Sequence, residues 1–138
     1  MIITKQITIE TGGNGDMRDI TSEVAEQVSK ASVNSGTVTV FVAGSTAGVT
    51  TIEYEPGLQA DFAAMWERLV PRNLTYQHNE RWGDGNGYAH IRASLLGPSL
   101  AVPFRARKLL LGTWQQIVVT DFDNRHRRRE VILQIMGE

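Results

Sequence analysis

The chain has no cysteine. That excludes disulfide frameworks, thiolate zinc sites, iron–sulfur clusters and cysteine nucleophiles, and it fits a cytoplasmic enzyme or binding protein. Only four of its 138 residues are proline and 13 are glycine, with no periodic pattern, so a collagenous or proline-rich extended chain is excluded. No apolar run approaches the roughly 18–20 residues that cross a bilayer, and Met1-Ile-Ile-Thr-Lys5 does not read as the start of a signal peptide. Excess charge is missing too. A net charge of −1 and a pI near 6.3 argue against a general nucleic-acid binder.

What remains is an ordinary globular composition, 41% hydrophobic and 21% charged. The length favours one α+β domain over residues 1–138, able to bury roughly 68–70% of its unfolded surface without metal or disulfide support. The near-zero charge hides an asymmetry. Residues 1–69 hold four Lys/Arg against nine Asp/Glu, a balance of −5; residues 70–138 hold ten against six, a balance of +4. Such a split can pair the halves, present an anion site from the second half, or attract another subunit.

Ile2–Ile9, rich in β-branched residues, predicts a strand that the glycines at 12, 13 and 15 break. Ile20, Val24, Val28 and Ala31 have the spacing of an amphipathic helix, with Asp19 as N-cap and Gly36 as left-handed C′ residue. Thr37–Ala43 and Val49–Tyr54 read as strands, and Pro56–Pro71 encloses a second helix with Leu58, Phe62, Met65, Trp66 and Leu69 on one face. Asn73–Tyr88 is polar and Gly-rich, which predicts a long functional loop. Leu100–Phe104, Lys108–Leu111, Ile117–Phe122 and Glu130–Ile135 read as four more strands. The order predicts a mainly antiparallel sheet with two main helices.

Chemistry concentrates in the loop. His78 and His90 flank Asn79, Glu80, Trp82, Asp84 and Asn86. Two imidazoles with a carboxylate, Glu53 or Asp84, would make a three-ligand metal site with an open position, or an acid–base pair; otherwise they are loop histidines bonded to backbone. The alternating glycines of Trp82–Gly87 would let Asp84 and Asn86 bind Mg²⁺, or form a plain turn. Gly44-Ser-Thr-Ala-Gly48, between two strands, has the small residues and free amides of a phosphate cradle, although a turn explains them as well. Glu53 and Glu55 alternate with Ile52 and Tyr54, which places both carboxylates on one strand face. The run Arg125-His-Arg-Arg-Arg129 reads as a solvated turn ahead of a phosphate or nucleic-acid site.

Several segments taken together resemble the YjbQ-like family: Gly44–Gly57, His78–Gly87, His90–Leu100, Leu111-Gly-Thr-Trp-Gln-Gln116 and Arg127-Arg-Arg-Glu130. Members of that family are described as having a secondary thiamine-phosphate synthase activity. The resemblance implies a small α+β homotrimer with polar clefts where subunits meet. It also implies transfer of a hydroxymethylpyrimidine from its diphosphate to a thiazole phosphate. On that reading His78, His90 and Asp84 are the catalytic residues. Glu53, His78, Asp84 and His90 would hold a divalent ion, Mg²⁺ or Zn²⁺, and Ser45, Thr46, Arg92 and Ser94 would receive phosphate oxygens. Trp82 or Trp114 would stack on the pyrimidine while Gln115 bonds its edge. A non-enzymatic protein that binds a phosphorylated metabolite is the alternative. Many members carry His where this chain has Gly44, and many have Gly-His-x-His where it has Gly87-Tyr88-Ala89-His90, so two potential ligands or acid–base groups are replaced.

Overall fold

The computed structural model describes residues 1–138. The first strand, β1 (Ile2–Thr11), pairs antiparallel along its whole length with β8 (Arg127–Gly137). β8 pairs on its other edge with β3 (Gly36–Ala43), which pairs with β5 (Ser99–Arg105); β5 turns back into the short β6 (Lys108–Leu109). This five-stranded sheet has the order β1-β8-β3-β5-β6. A second sheet places β7 (Gln116–Asp121) between β2 (Asp16–Asp19) and β4 (Ala47–Ile52), again all antiparallel.

The period-2 pattern decides what each sheet buries. Val38, Val40 and Val42 of β3 and Val131, Leu133 and Ile135 of β8 point inward, against Val49, Ile117 and Val119 of the smaller sheet. Helix α1 (Thr21–Lys30) closes this core with Val24 and Val28. Beyond β7 lies a second, smaller core. There Phe122 meets Trp66 of α2 (Pro56–Leu69) and Tyr88, Ala89 and Ala93 of α4 (Gly87–Leu96). β7 is therefore covered on both faces, and every residue from Ile117 to Asp123 is buried.

The α+β class, the antiparallel pairing and the expected strands are all present; the differences are local. Ile20 occupies the N-cap position of α1, and Asp19 acts from one residue earlier, its Oδ1 accepting from the Thr21 amide at 3.0 Å and hydroxyl at 2.6 Å. Gly36 does not end α1. It opens β3, where a Cβ would stand 1.9 Å from the Met136 carbonyl oxygen. Glu53 and Glu55 do not share a strand face, because β4 ends at Ile52; Glu55 caps α2, accepting from the Gly57 and Leu58 amides. Four helices replace the expected two, since the supposed loop 73–88 contains α3 (Gln77–Trp82) and leads into α4. No helix is long and apolar enough to cross a membrane.

Candidate functional site

As β8 emerges from the core its inward side chains change from apolar to basic. The alternation that buries Ile135, Leu133 and Val131 continues through Arg129 and Arg127. Two guanidinium groups are thus carried beside Asp121 and Asp123, which are fully buried at the end of β7. Arg129 Nε donates to Asp121 Oδ2 at 2.7 Å and Nη2 to Oδ1 at 2.9 Å, a bidentate pair. Its Nη2 also donates to Thr46 Oγ1 at 2.6 Å. Arg127 Nε donates to Asp123 Oδ2 at 2.7 Å, and the Thr46 hydroxyl donates to that same oxygen at 3.1 Å. Burial alone would raise the Asp123 carboxyl. Hydrogen bonds from Asn86, Arg127, the Asn124 amide and Thr46 outweigh it and bring Asp123 down to about 2.

Above this network opens a cleft of about 390 Å³. Arg127 and Arg129 form its floor, and the β3–β4 loop with Gly44, Ser45 and Thr46 forms one wall. The other wall is built from α3, α4 and the turn between them: His78, Trp82, Asp84, Asn86 and His90. The two imidazole rings lie 4.4 Å apart, centroid to centroid. Burial and the neighbouring His78 hold His90 below its ordinary 6.5, against the opposing pull of Asp123 and Asp84. Two buried polar atoms of the cleft residues, His78 Nδ1 and Asn86 Oδ1, have no partner in the chain. Nη1 of both arginines is likewise unused by the network. The cleft thus presents cationic donors below and an imidazole pair to one side, an arrangement suited to an anion that carries its own apolar body.

Gly44 is what admits Arg129. Its φ is +145°, and a Cβ there would lie 2.5 Å from Arg129 Nη1. Gly44→Ala should therefore cost about 1–3 kcal/mol from backbone strain alone, with a further loss from the displaced guanidinium, measured as a lower urea midpoint.

Of the residues singled out from the sequence, the structure brings together His78, His90, Asp84, Ser45, Thr46 and Trp82. Ser45 is exposed at the rim; Thr46 is buried and its hydroxyl is engaged by Arg129 and Asp123. Five others lie outside the cleft. Arg92 points across α4, where it donates to the Val70 carbonyl and to Glu67. Ser94 donates to the His90 carbonyl of its own helix. Trp114 is 71% exposed between β6 and β7, and Gln115 donates to Thr51. Glu53 is exposed past the end of β4. Sequence reasoning weighed Asn86 only as a Mg²⁺ ligand and read Arg127 and Arg129 as part of a solvated turn, although the alternation from Val131 backwards was already a signal for the two arginines.

A metal was expected on Glu53, His78, Asp84 and His90. No three His, Asp or Glu side chains converge closely enough to hold a metal ion. With Glu53 distant, the cleft offers an imidazole pair and no assembled third ligand, so the residues present do not fit a three-ligand Mg²⁺ or Zn²⁺ site. The Tyr88 substitution bears on this less than the sequence implied. Residues two apart on a helix face opposite ways, and Tyr88 turns away from His90 into the second core.

A small two-sheet α+β domain of this topology is shared with known proteins. Residues 5–138 match the family model described as UPF0047 protein YjbQ-like, and the chain belongs to that family. It is 34% identical to the UPF0047 protein MJ1081 of Methanocaldococcus jannaschii, covering 100% of this chain and 99% of the relative. A solved YbjQ-like protein of unknown function from Sulfolobus solfataricus superposes with a TM-score of 0.94 at 31% identity, over 100% of this chain and 99% of the other. A YjbQ/UPF0047 protein from Clostridium acetobutylicum gives 0.86 at 34% identity, over 96% and 99%.

Proposed function

We propose that the cleft binds a diphosphate-bearing small molecule and transfers its organic group, in the manner of a thiamine-phosphate synthase. The observation that carries this reading is the placing of an imidazole pair, His78 and His90, over two arginines, Arg129 buried and Arg127 partly exposed, with free Nη1 donors. In the transfer, the thiazole nitrogen attacks the pyrimidine methylene carbon. A C–N bond forms as the C–O bond breaks, and both electrons of that bond leave with pyrophosphate. Arg127 and Arg129 meet the charge that develops on the leaving oxygens. Burial and His78 favour the neutral form of His90 in the free protein; a bound diphosphate favours its cation, which then hydrogen-bonds to the leaving group. Trp82, exposed at the rim, supplies a face for the pyrimidine.

The binding half of this reading is tested with inorganic pyrophosphate by titration calorimetry. Saturable binding accompanied by proton uptake is expected. Arg127→Gln, at a partly exposed arginine, should weaken it at least about tenfold, the value of one charge-assisted hydrogen bond. Binding unchanged in that variant would remove the arginines from the site. Pyrophosphate retained without any turnover of the full substrates would favour the metabolite-binding alternative.

The homotrimer belongs to the same proposal. Ile91 and Leu95 on the outer side of α4 are 47% and 63% exposed, an apolar face that self-association would cover. Light scattering should then give about three times the 15.3 kDa chain mass, and a monomer at micromolar concentration would exclude the trimer.

A further inference from the structure

A second cavity of about 170 Å³ lies between α2, α4 and β7, on the other side of α4 from the histidine cleft, and the two share no lining residue. Three polar groups of residues lining it are buried without any hydrogen-bond partner: Trp66 Nε1, the Tyr88 hydroxyl and the Thr120 hydroxyl. All three residues are at most 5% exposed. A buried polar atom left unsatisfied costs about 1–3 kcal/mol, so three around one cavity call for something that pairs with them.

The lining indicates what that is. Trp66 Nε1 can only donate, and both hydroxyls can donate. Two guanidinium groups approach the Tyr88 ring, Arg72 at 5.1 Å and Arg92 at 5.0 Å from its centre. Arg92 spends Nε and Nη2 on the Val70 carbonyl and on Glu67, which leaves Nη1 free. One carboxylate, Glu67, thus stands against two cations. Phe62, Trp66 and Phe122 supply apolar walls, packed edge to face at 5.8 and 5.0 Å. Arg72 donates to Asn14 at 3.0 Å, and this exposed pair marks the outer end. An apolar cavity of about 150 Å³ accommodates one benzene ring. This one has the room for a ring and the donors for an anionic edge.

We propose that this cavity is a second ligand site, for a one-ring aromatic carboxylate whose ring lies among Phe62, Trp66 and Phe122 and whose carboxylate accepts from Trp66 Nε1, Tyr88, Thr120 and Arg92. It is independent of the function proposed for the cleft and fails or stands separately from it.

Benzoate is the probe, followed by calorimetry and by fluorescence of Trp66, the one buried tryptophan. Saturable millimolar or tighter binding is expected, at least about tenfold weaker for the neutral isostere benzamide. Tyr88→Phe and Thr120→Val each delete a hydroxyl that has no partner in the free chain while keeping its shape. Both variants should be as stable as the parent or more so, yet bind benzoate about tenfold less tightly, and pyrophosphate binding in the cleft should not change. A purely structural role would give the opposite pattern, with stability falling and benzoate affinity held. No saturable benzoate binding, equal affinity for benzamide, or a crystal soaked in benzoate showing only ordered water in the cavity would each overturn the proposal.

Discussion

His90→Ala should lower thiamine phosphate formation by about 10²–10⁴-fold while leaving the fold intact, the range expected when a positioned acid–base side chain is removed. Helix α4 does not need the imidazole: its buried side is made by Tyr88, Ala89, Arg92 and Ala93. The loss should fall on turnover more than on substrate binding, because Arg127 and Arg129 remain to hold the diphosphate. The pH dependence follows from the same geometry. In the free protein burial and His78 hold His90 below 6.5, so it binds fewer protons than the unfolded chain does between its folded value and 6.5. Its contribution to stability is complete above 6.5 and is lost as pH falls through the folded value. Bound pyrophosphate reverses the balance by favouring the cation. The His90 ring protons, followed by NMR, should titrate with a midpoint below 6.5 in the free protein and at a higher pH in the complex. A midpoint that pyrophosphate does not move would detach His90 from the anion.

Asp121→Asn should destabilise the protein by about 3–5 kcal/mol, read from the midpoint of urea unfolding. Asp121 has no solvent exposure and meets both Nε and Nη2 of Arg129, itself 7% exposed. Removing the carboxylate charge strands a buried guanidinium, and Thr11, whose hydroxyl donates to Asp121, shares the loss. The pair as a whole is another matter, since burying both ions costs much of what their attraction returns. Asp121→Leu combined with Arg129→Met should therefore recover most of the stability lost in the single variant while still weakening pyrophosphate binding. Such a separation identifies the arginine as kept for the ligand. Asp123 adds an acid limit: it stands at about 2 instead of 3.8, so it stabilises the native state above 3.8 by roughly 2 kcal/mol and loses that contribution as pH falls through 2.

How far the sequence disclosed the site depended on which periodicity was visible. Ile20-Val24-Val28 and Val38-Val40-Val42 are unmixed apolar patterns, and both elements fell where they were read. Helix α4 carries an equally regular stripe, Tyr88-Arg92-Leu96 beside Ala89-Ala93, but an arginine and two alanines stand where large apolar residues announce a helix. Asn73–Tyr88 looked like a loop because α3 buries none of its residues and so has no apolar face to detect. The sequence put His78 and His90 in one loop; what brings their rings to 4.4 Å is that α3 and the first turn of α4 lie against each other. Arg127 and Arg129 were hidden in a charge run. Burial there is decided by pairing with Asp121 and Asp123 across the β7–β8 turn, and a single-strand pattern does not show its partner.

The most direct test of the cleft's function is to incubate the purified chain with the hydroxymethylpyrimidine diphosphate and the thiazole phosphate, and to measure thiamine phosphate and pyrophosphate together by mass spectrometry. Thiamine phosphate and pyrophosphate formed in equal amounts by the parent chain, and lost in His90→Ala, is the result predicted here. Absence of product from a protein that still binds pyrophosphate, or product that survives His90→Ala undiminished, would contradict it.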